Sequence, residues 1–320
     1  MKIVDSICLN EQYSTTRLVT KEKPIIEKNP DDKFETVLFL PPVEGRKEEG
    51  GLRIQGYFKT SLPNKPLVTI ITVVFNSEGY LEQTIQSVIN QTYDNVEYII
   101  IDGGSEDRTI EIINKYDMKI DYWISERDQG IYDAMNKGLS MSTGDFVYFL
   151  GSDDILSNPD IIDSVVNVII HSQLDKRTSM FYGDVFHRSS NILKRQPKSI
   201  FSFAYLNICH QAIFYNREML SNIGGFDIRY TISADHVVNI KLWSSGSFYM
   251  PIEICKYAGD GVSSLNQDQL FGQQRNFLIL SNLGILPFFF QLFIKPIHLI
   301  LKSVFPQNFY RFLINIFFSR

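Results

Sequence analysis

After residue 66 the chain settles into a regular alternation. A wholly apolar run, VTIITVVF (68–75), is followed by a stretch in which Leu81, Ile85, Val88 and Ile89 share one helical face, and then by VEYIII (96–101). Unbroken apolar runs of this length suit strands covered on both faces, whereas the three-and-four spacing between them suits an amphipathic helix. A second helical stretch at Thr109–Tyr116, a short strand near Asp121–Ile124, a helix from about Gly130 to Met141 and a strand FVYFL (146–150) continue the pattern. This predicts an open α/β domain, a mostly parallel sheet flanked by helices. Residues 1–66 lack the rhythm. Polar stretches at 20–33 and 44–51 surround a predicted strand at Thr36–Leu40, and Pro63-Asn64-Lys65-Pro66 marks a boundary. The segment reads as a small appended domain or an extended arm, with no chemistry assigned to it.

The other end of the chain is different again. From Ile285 to Phe305 the text is almost wholly apolar, and its polar residues Gln291, Lys295, His298 and Lys302 fall at spacings of four, three and four, one stripe of a helix interrupted by Pro287, Pro296 and Pro306. No Asp or Glu follows Asp268, whereas Arg275, Lys295, Lys302, Arg311 and Arg320 do, so the tail carries +5 and the remainder −10 of a net −5. The expected organisation is an extension at 1–66, the α/β domain at 67–268 and a basic apolar tail at 269–320. Such a tail suits peripheral contact with an anionic bilayer, or packing on the main domain or a second subunit. A span is disfavoured, because each lysine at mid-bilayer costs about 2.5–3.5 kcal/mol.

At 320 residues, 44% of them apolar, the chain can bury a substantial core, and its acidic balance disfavours a nucleic-acid partner. Cys8, Cys209 and Cys255 are far apart and lack zinc-type spacing, pointing to a reducing compartment. Asp5, Ser6 and Asn10 break the first apolar run too early for an export signal. The expected location is cytoplasmic, at the inner face of the cytoplasmic membrane.

Ligands of open α/β sheets sit beyond the carboxyl ends of the strands. Here those ends read Phe75-Asn76, Asp102-Gly103-Gly104-Ser105 and Gly151-Ser152-Asp153-Asp154. An aromatic ring can stack on a base, a neighbouring carboxylate can accept the imide N–H of uracil, and adjacent carboxylates can hold Mg²⁺ or Mn²⁺ against a diphosphate. Each also has a plainer reading: Asp102 before two glycines suits a turn or cap, and Asp153-Asp154 suits a turn ahead of a helix capped by Asn158.

The runs VTIITVVFNSEGYLEQTIQSVINQTYDNVEYIIIDGGSEDRT and SERDQGIYDAMNKGLSMSTGDFVYFLGSDD together resemble the family 2 glycosyltransferases of GT-A fold, in particular their bacterial polysaccharide-assembly branch. The resemblance spans roughly residues 67–265. It implies that Val73 and Phe75 hold the base, that Asp102 bonds uracil and that Asp153 binds the metal of the DxD-type motif. Two departures stand out. The first acid of that motif is Gly151, leaving its ribose contact to Asp154 or water, and in Ala134-Met135-Asn136-Lys137-Gly138 a methionine stands where many relatives have a diphosphate-facing arginine, with Asn136 and Lys137 left to serve.

His210-Gln211 and GGFDIRYTISADH (224–236) resemble the segment in which such transferases place the catalytic base, and the matching carboxylate is Asp235. His210 suits either an acceptor contact or a satisfied half-buried histidine. Gly224-Gly225-Phe226-Asp227 suits a structural turn with Asp227 as a candidate acceptor contact, and Gly259–Ser263 suits either a small-residue lid over the diphosphate or an ordinary surface turn. Asp235 before HVVNIKLW also suits a helix cap. The implied activity is an inverting, metal-dependent transfer from a nucleotide-sugar donor, UDP-linked, to a glycan or lipid-linked saccharide acceptor. The Gln-x-x-Arg-Trp motif of processive members is absent. A sugar nucleotidyltransferase is the second enzyme reading, although Phe75-Asn76-Ser77-Glu78 is not the basic glycine-rich loop it needs. A catalytically degenerate glycan-binding or scaffold subunit is the non-enzyme alternative.

Overall fold

The computed structural model describes residues 6–26, 33–172, 178–259 and 268–304, with residues 295–304 described through the backbone alone. The strands are β1 (Glu48–Gly50), β2 (Val68–Val74), β3 (Val96–Asp102), β4 (Tyr122–Ser125), β5 (Phe146–Gly151), β6 (Ile155–Leu156), β7 (Met180–His187), β8 (Ile192–Lys194), β9 (Ile213–Asn216) and β10 (Ser247–Tyr257). The helices are α1 (Leu81–Ile89), α2 (Thr109–Lys115), α3 (Ile131–Met141), α4 (Ile161–His171), α5 (Ile200–Tyr205), α6 (Arg217–Asn222), α7 (Ala234–Trp243), α8 (Gln269–Leu283) and α9 (Ile285–Val304).

One sheet runs through the molecule in the order β1-β4-β3-β2-β5-β9-β7-β10-β6, with β8 hairpinned onto β7. The strands β4, β3, β2 and β5 are mutually parallel, β9 runs against β5 and β7, and β10 is parallel to β7. The expected α/β architecture is therefore present, a mixed and largely parallel sheet flanked by helices. The apolar runs are continuous because both faces are covered: every residue of β3 is buried, and all of β2 but Val73. Helix α1 buries Leu81, Thr84, Ile85, Val88 and Ile89. On α3, Gly138 lets the helix approach the sheet, since a Cβ there would stand 2.5 Å from Ile71 Cγ2.

Because β7 and β10 point the same way as β5, one rim of the sheet collects Phe75, Asp102, Ser125, Gly151, His187 and Tyr257. The loop before β9 reaches the same rim, bringing His210 with it.

The N-terminal segment is fastened to the sheet. β1 pairs antiparallel with β4, and Lys59 is buried, donating to the carbonyls of Ser14 and Arg17. Arg53 Nη2 lies 2.5 Å from Glu97 Oε1 in the interior. The strand expected at Thr36–Leu40 does not form. Its backbone groups turn elsewhere, with Val37 N–H donating to Ser140 O and Leu38 O accepting from Arg53, while Phe39 packs edge-on against Tyr122.

At the other end, α9 packs on α5 and α8 and runs unbroken through Pro287 and Pro296 rather than breaking at them, while Pro306 lies outside the described residues. Pro287 falls in the first turn, where no intrahelical N–H is missed. No helix among the described residues is long and apolar enough to cross a membrane.

Candidate active site

A cavity of about 660 Å³ opens at this rim, lined among others by Asp153, Asp154, His187, Lys194, His210 and Asp235. That volume accommodates a small organic ligand. Phe75 and Asp102 do not line it but stand on the adjoining rim: Val73 pairs with Gly151 and Val74 with Asp102, so the ends of β3, β2 and β5 are consecutive. With strands about 4.8 Å apart, the three ends span roughly 10 Å.

Phe75 is 62% exposed and leaves its ring free for stacking, whereas Asp102 is fully buried. Its Oδ2 accepts from Gly104 N–H at 3.1 Å, Ser105 N–H at 3.0 Å and Ser125 Oγ at 2.6 Å, and its Oδ1 accepts from Ser105 Oγ. Four donors occupy the usual capacity of a carboxylate. Asp102 thus fixes the Gly103–Ser105 turn. Beside it stands Asp128, half-buried at the start of the loop into α3, with Gly103 closed against its Oδ2. Burial pushes the Asp128 carboxyl above its ordinary range. It lies three residues beyond the end of β4, in the loop into α3, where no strand end marks it in the sequence.

The turn after β5 is held from below, where Thr84 Oγ1 of α1 donates to the carbonyls of Ser152 and Asp154. Asp153 faces the cavity and Arg188 Nη1 bonds its carbonyl at 3.2 Å. Asp154 is buried: its Oδ2 accepts from Gln211 Nε2 and its Oδ1 from Ala258 N–H, both at 3.0 Å. Burial, followed by repulsion from Asp153, raises its pKa. The glycine at 151 is explained by the same geometry, because a Cβ there would lie 2.5 Å from Asp154 Oδ2. Asp154 occupies the space that an acid at 151 would need. Among the described residues no group of three or more His, Cys, Asp or Glu side chains could hold a metal ion. A single hard-oxygen donor at Asp153 fits Mg²⁺ or Mn²⁺ ligated largely by water and substrate phosphates.

Asn136 and Lys137 are both engaged. Asn136 clamps Phe226, donating to its carbonyl at 2.7 Å and accepting from its N–H at 2.9 Å, while Lys137 Nζ sits 2.9 Å from Glu126 Oε1 and donates to Arg127 O. Asp227 lies outside the cavity lining, forked with Arg229 at 2.6 Å. Residues 260–263 of the expected lid lie outside the described residues.

Asp235 enters from the first turn of α7. Its oxygens receive Tyr132 Oη at 3.1 Å and Asn207 Nδ2 at 3.3 Å, and His210 Nδ1 stands 3.7 Å away. Burial alone would raise its pKa, but the imidazoles of His210 and His236 outweigh that and lower it. The group is a carboxylate at neutral pH, held in a fixed orientation at the cavity wall. Neither Tyr132 nor Asn207 drew attention in the sequence, because only the fold brings them to residue 235.

His236 packs against Phe271, and burial lowers its pKa from 6.5 to about 4, with Asp235 opposing and Arg275 assisting. A buried imidazole that resists protonation destabilises the fold in acid: the unfolded chain takes its proton near 6.5, the folded chain only near 4. Stability should therefore fall by about 3 kcal/mol between those values on account of this residue. Thermal unfolding from pH 7 to pH 4 should show a shallower decline in His236→Phe, and equal slopes would contradict the assignment.

The chain matches the family described as Glycosyl transferase family 2 over residues 69–225. A PGL/p-HBAD biosynthesis glycosyltransferase of Mycobacterium bovis is 33% identical over 199 residues, 60% of this chain and 77% of that protein. The chain belongs to glycosyltransferase family 2. A further glycosyltransferase, from Mycobacterium tuberculosis, is 33% identical to this family 2 enzyme over 222 residues, 67% of this chain and 84% of the relative. The S. aureus TarS 1–349 structure in complex with UDP superposes with a TM-score of 0.54 at 16% identity, covering 68% of this chain and 66% of that one. The TarS complex with UDP-GlcNAc gives the same score. At that identity the likeness is one of fold, the GT-A-like arrangement of this family 2 glycosyltransferase.

Proposed function

We propose that this enzyme transfers a sugar from a UDP-linked donor to a saccharide acceptor, glycan or lipid-linked, with inversion at the anomeric carbon. The observation that carries the reading is one cavity with Asp235 on its wall and Asp153 at its β5 edge, next to the exposed ring of Phe75. The base stacks on Phe75 beside the backbone at Val73, with Asp128 and the Asp102-shaped turn along its edge. The diphosphate then runs toward Asp153, where Mg²⁺ or Mn²⁺ would be held and would offset charge on the departing group. Asp235 accepts the proton of the acceptor hydroxyl as that oxygen attacks from the opposite side of the sugar ring. Tyr132 and Asn207 orient the carboxylate, and His210 borders the acceptor space. The relatives' role in PGL/p-HBAD biosynthesis and the UDP-GlcNAc of the TarS complex favour a nucleotide-sugar donor and a cell-envelope product.

Asp153→Asn tests the donor side. Turnover of labelled UDP-sugar is expected to fall by about 100-fold or more, and the Mn²⁺-dependent thermal shift given by UDP should shrink while the melting temperature without ligand stays put. EDTA should reproduce the loss in the parent enzyme. Full activity in EDTA would remove the metal from the scheme.

The engaged Asp154 and the glycine at 151 keep one other reading in view, a degenerate subunit that binds glycan or nucleotide without turnover. A UDP-induced thermal shift with no transfer from any sugar of a donor panel to envelope glycolipid extracts would select it.

A further inference from the structure

Helix α9 turns apolar side chains outward and a polar one inward. Sequence spacing suggests that Gln291 belongs to a polar outer stripe, yet it is only 3% exposed and its Nε2 donates to Asn276 Oδ1 of α8 at 3.0 Å. The outward positions of α9 are instead Ile285, Leu286, Phe289, Leu292 and Phe293, at offsets of one, four, seven and eight from the first. That is one continuous stripe of a helix. Leu286 is 70% exposed and Phe293 69%, and Phe277 of α8 reaches 70%. Soluble surfaces carry isolated apolar side chains, but a contiguous band of this size marks something that covers it.

Charge decides between the candidates for that cover. Every charged side chain after Asp268 is a cation. A second copy meeting this face through a two-fold axis would bring like charges together. The stripe itself carries no charge, since Lys295 and Lys302 fall on the helical side of Gln291 and Arg275 bonds the carbonyls of Ala204 and Tyr205. An anionic lipid surface instead attracts the net +5 of the tail as a whole, while its acyl boundary takes the phenylalanines. The −10 carried by residues 1–268 further orients the molecule with its tail toward such a surface.

We infer that the α8–α9 face is a docking surface for an anionic bilayer, lying in the headgroup plane with its apolar stripe inserted. Its position gives this a consequence. Phe271 and Gly272 of α8 line the cavity that holds Asp235, and Phe277 follows about 9 Å further along the helix axis. A docked molecule therefore keeps the acceptor side of the cavity close to the lipid surface. On the function proposed above, the acceptor reaches Asp235 as the head group of a glycolipid.

Vesicle flotation of the full chain tests the docking without any sugar chemistry, so its result is independent of the catalytic proposal. The chain should float with phosphatidylcholine vesicles containing phosphatidylglycerol, much less with phosphatidylcholine alone, and be released by high salt. Phe289→Asp/Phe293→Asp, and separately Leu286→Asp, should weaken flotation roughly tenfold or more with unchanged melting temperatures, since these side chains already face outward. Failure to float with either vesicle overturns the inference. So does undiminished flotation of both variants, or a stable dimer that the same substitutions dissolve.

Discussion

Asp235→Asn is expected to lower the rate of sugar transfer by about 10²–10⁴-fold, the range that a positioned general base contributes, with little change in affinity for the UDP-sugar. The substitution keeps the shape of the side chain and its place on α7, and the hydrogen bond from Tyr132 can persist. What it removes is the proton acceptor. The depressed pKa leaves the native carboxylate charged throughout the neutral range, so the parent rate should be insensitive to this group until the pH falls through its lowered value, where protonation silences it. Turnover measured with labelled UDP-sugar, alongside the UDP-induced thermal shift, separates chemistry from binding. A variant that binds UDP normally and still transfers at the parental rate would remove Asp235 from the mechanism.

The largest loss of stability is expected from Arg53→Ala. Arg53 and Glu97 are 2% and 1% exposed, and the carboxylate also accepts from Thr69 Oγ1 at 2.6 Å and from Thr143 N–H at 2.9 Å. Burial pushes the Glu97 carboxyl up, and the guanidinium with these hydrogen bonds more than cancels that push, so the pair is charged in the native protein. Deleting one partner of a buried pair leaves the other charge uncompensated, at a cost of about 3–5 kcal/mol. Urea unfolding should show that shift at constant slope, and Arg53→Met/Glu97→Gln should recover part of it. A shift below about 1 kcal/mol, the range of surface pairs, would mean that water reaches Glu97 and that the N-terminal segment is only loosely attached.

The central sheet was legible because its parallel strands are covered on both faces, which writes each of them as an uninterrupted apolar run between amphipathic helices. The second half gave no such signal. β9 has four residues, β7 carries Gly183 and Asp184 in its middle, and β10 contains Pro251 and irregular register. These strands are specified by their neighbours more than by their own pattern. The positions of Asp153 and Asp235 at the cavity were legible because each follows a strand end or a recognisable turn, whereas Phe75 falls on the adjoining rim. The site was illegible where function depends on what a side chain already holds. Nothing in the text of Asn136 or Asp154 says that both amide groups are spent on Phe226, or that both carboxylate oxygens are bonded by Gln211 and Ala258. His187 and Lys194 meet the cavity through the β7–β8 hairpin; the Ser189-Ser190-Asn191 turn is local, but that the hairpin stands at this rim is set by the pairing of β7 with β9 and β10. Gln291 shows the opposite failure: its spacing correctly gave a helix, but spacing alone cannot say which face of a helix turns inward.

The fastening of residues 6–26 and 33–66 bears on how the chain matures on the ribosome. Thr15 bonds the carbonyl of Lys119, Ser14 that of Val88, and β1 awaits β4 at residues 122–125. This segment must therefore linger without its partners while up to about a hundred further residues are added, on the order of ten seconds at ordinary elongation rates. An apolar edge such as Leu52 and Phe58 is solvent-facing throughout that interval, so nascent chains halted before β4 should be the species that trigger factors and proteases engage most readily.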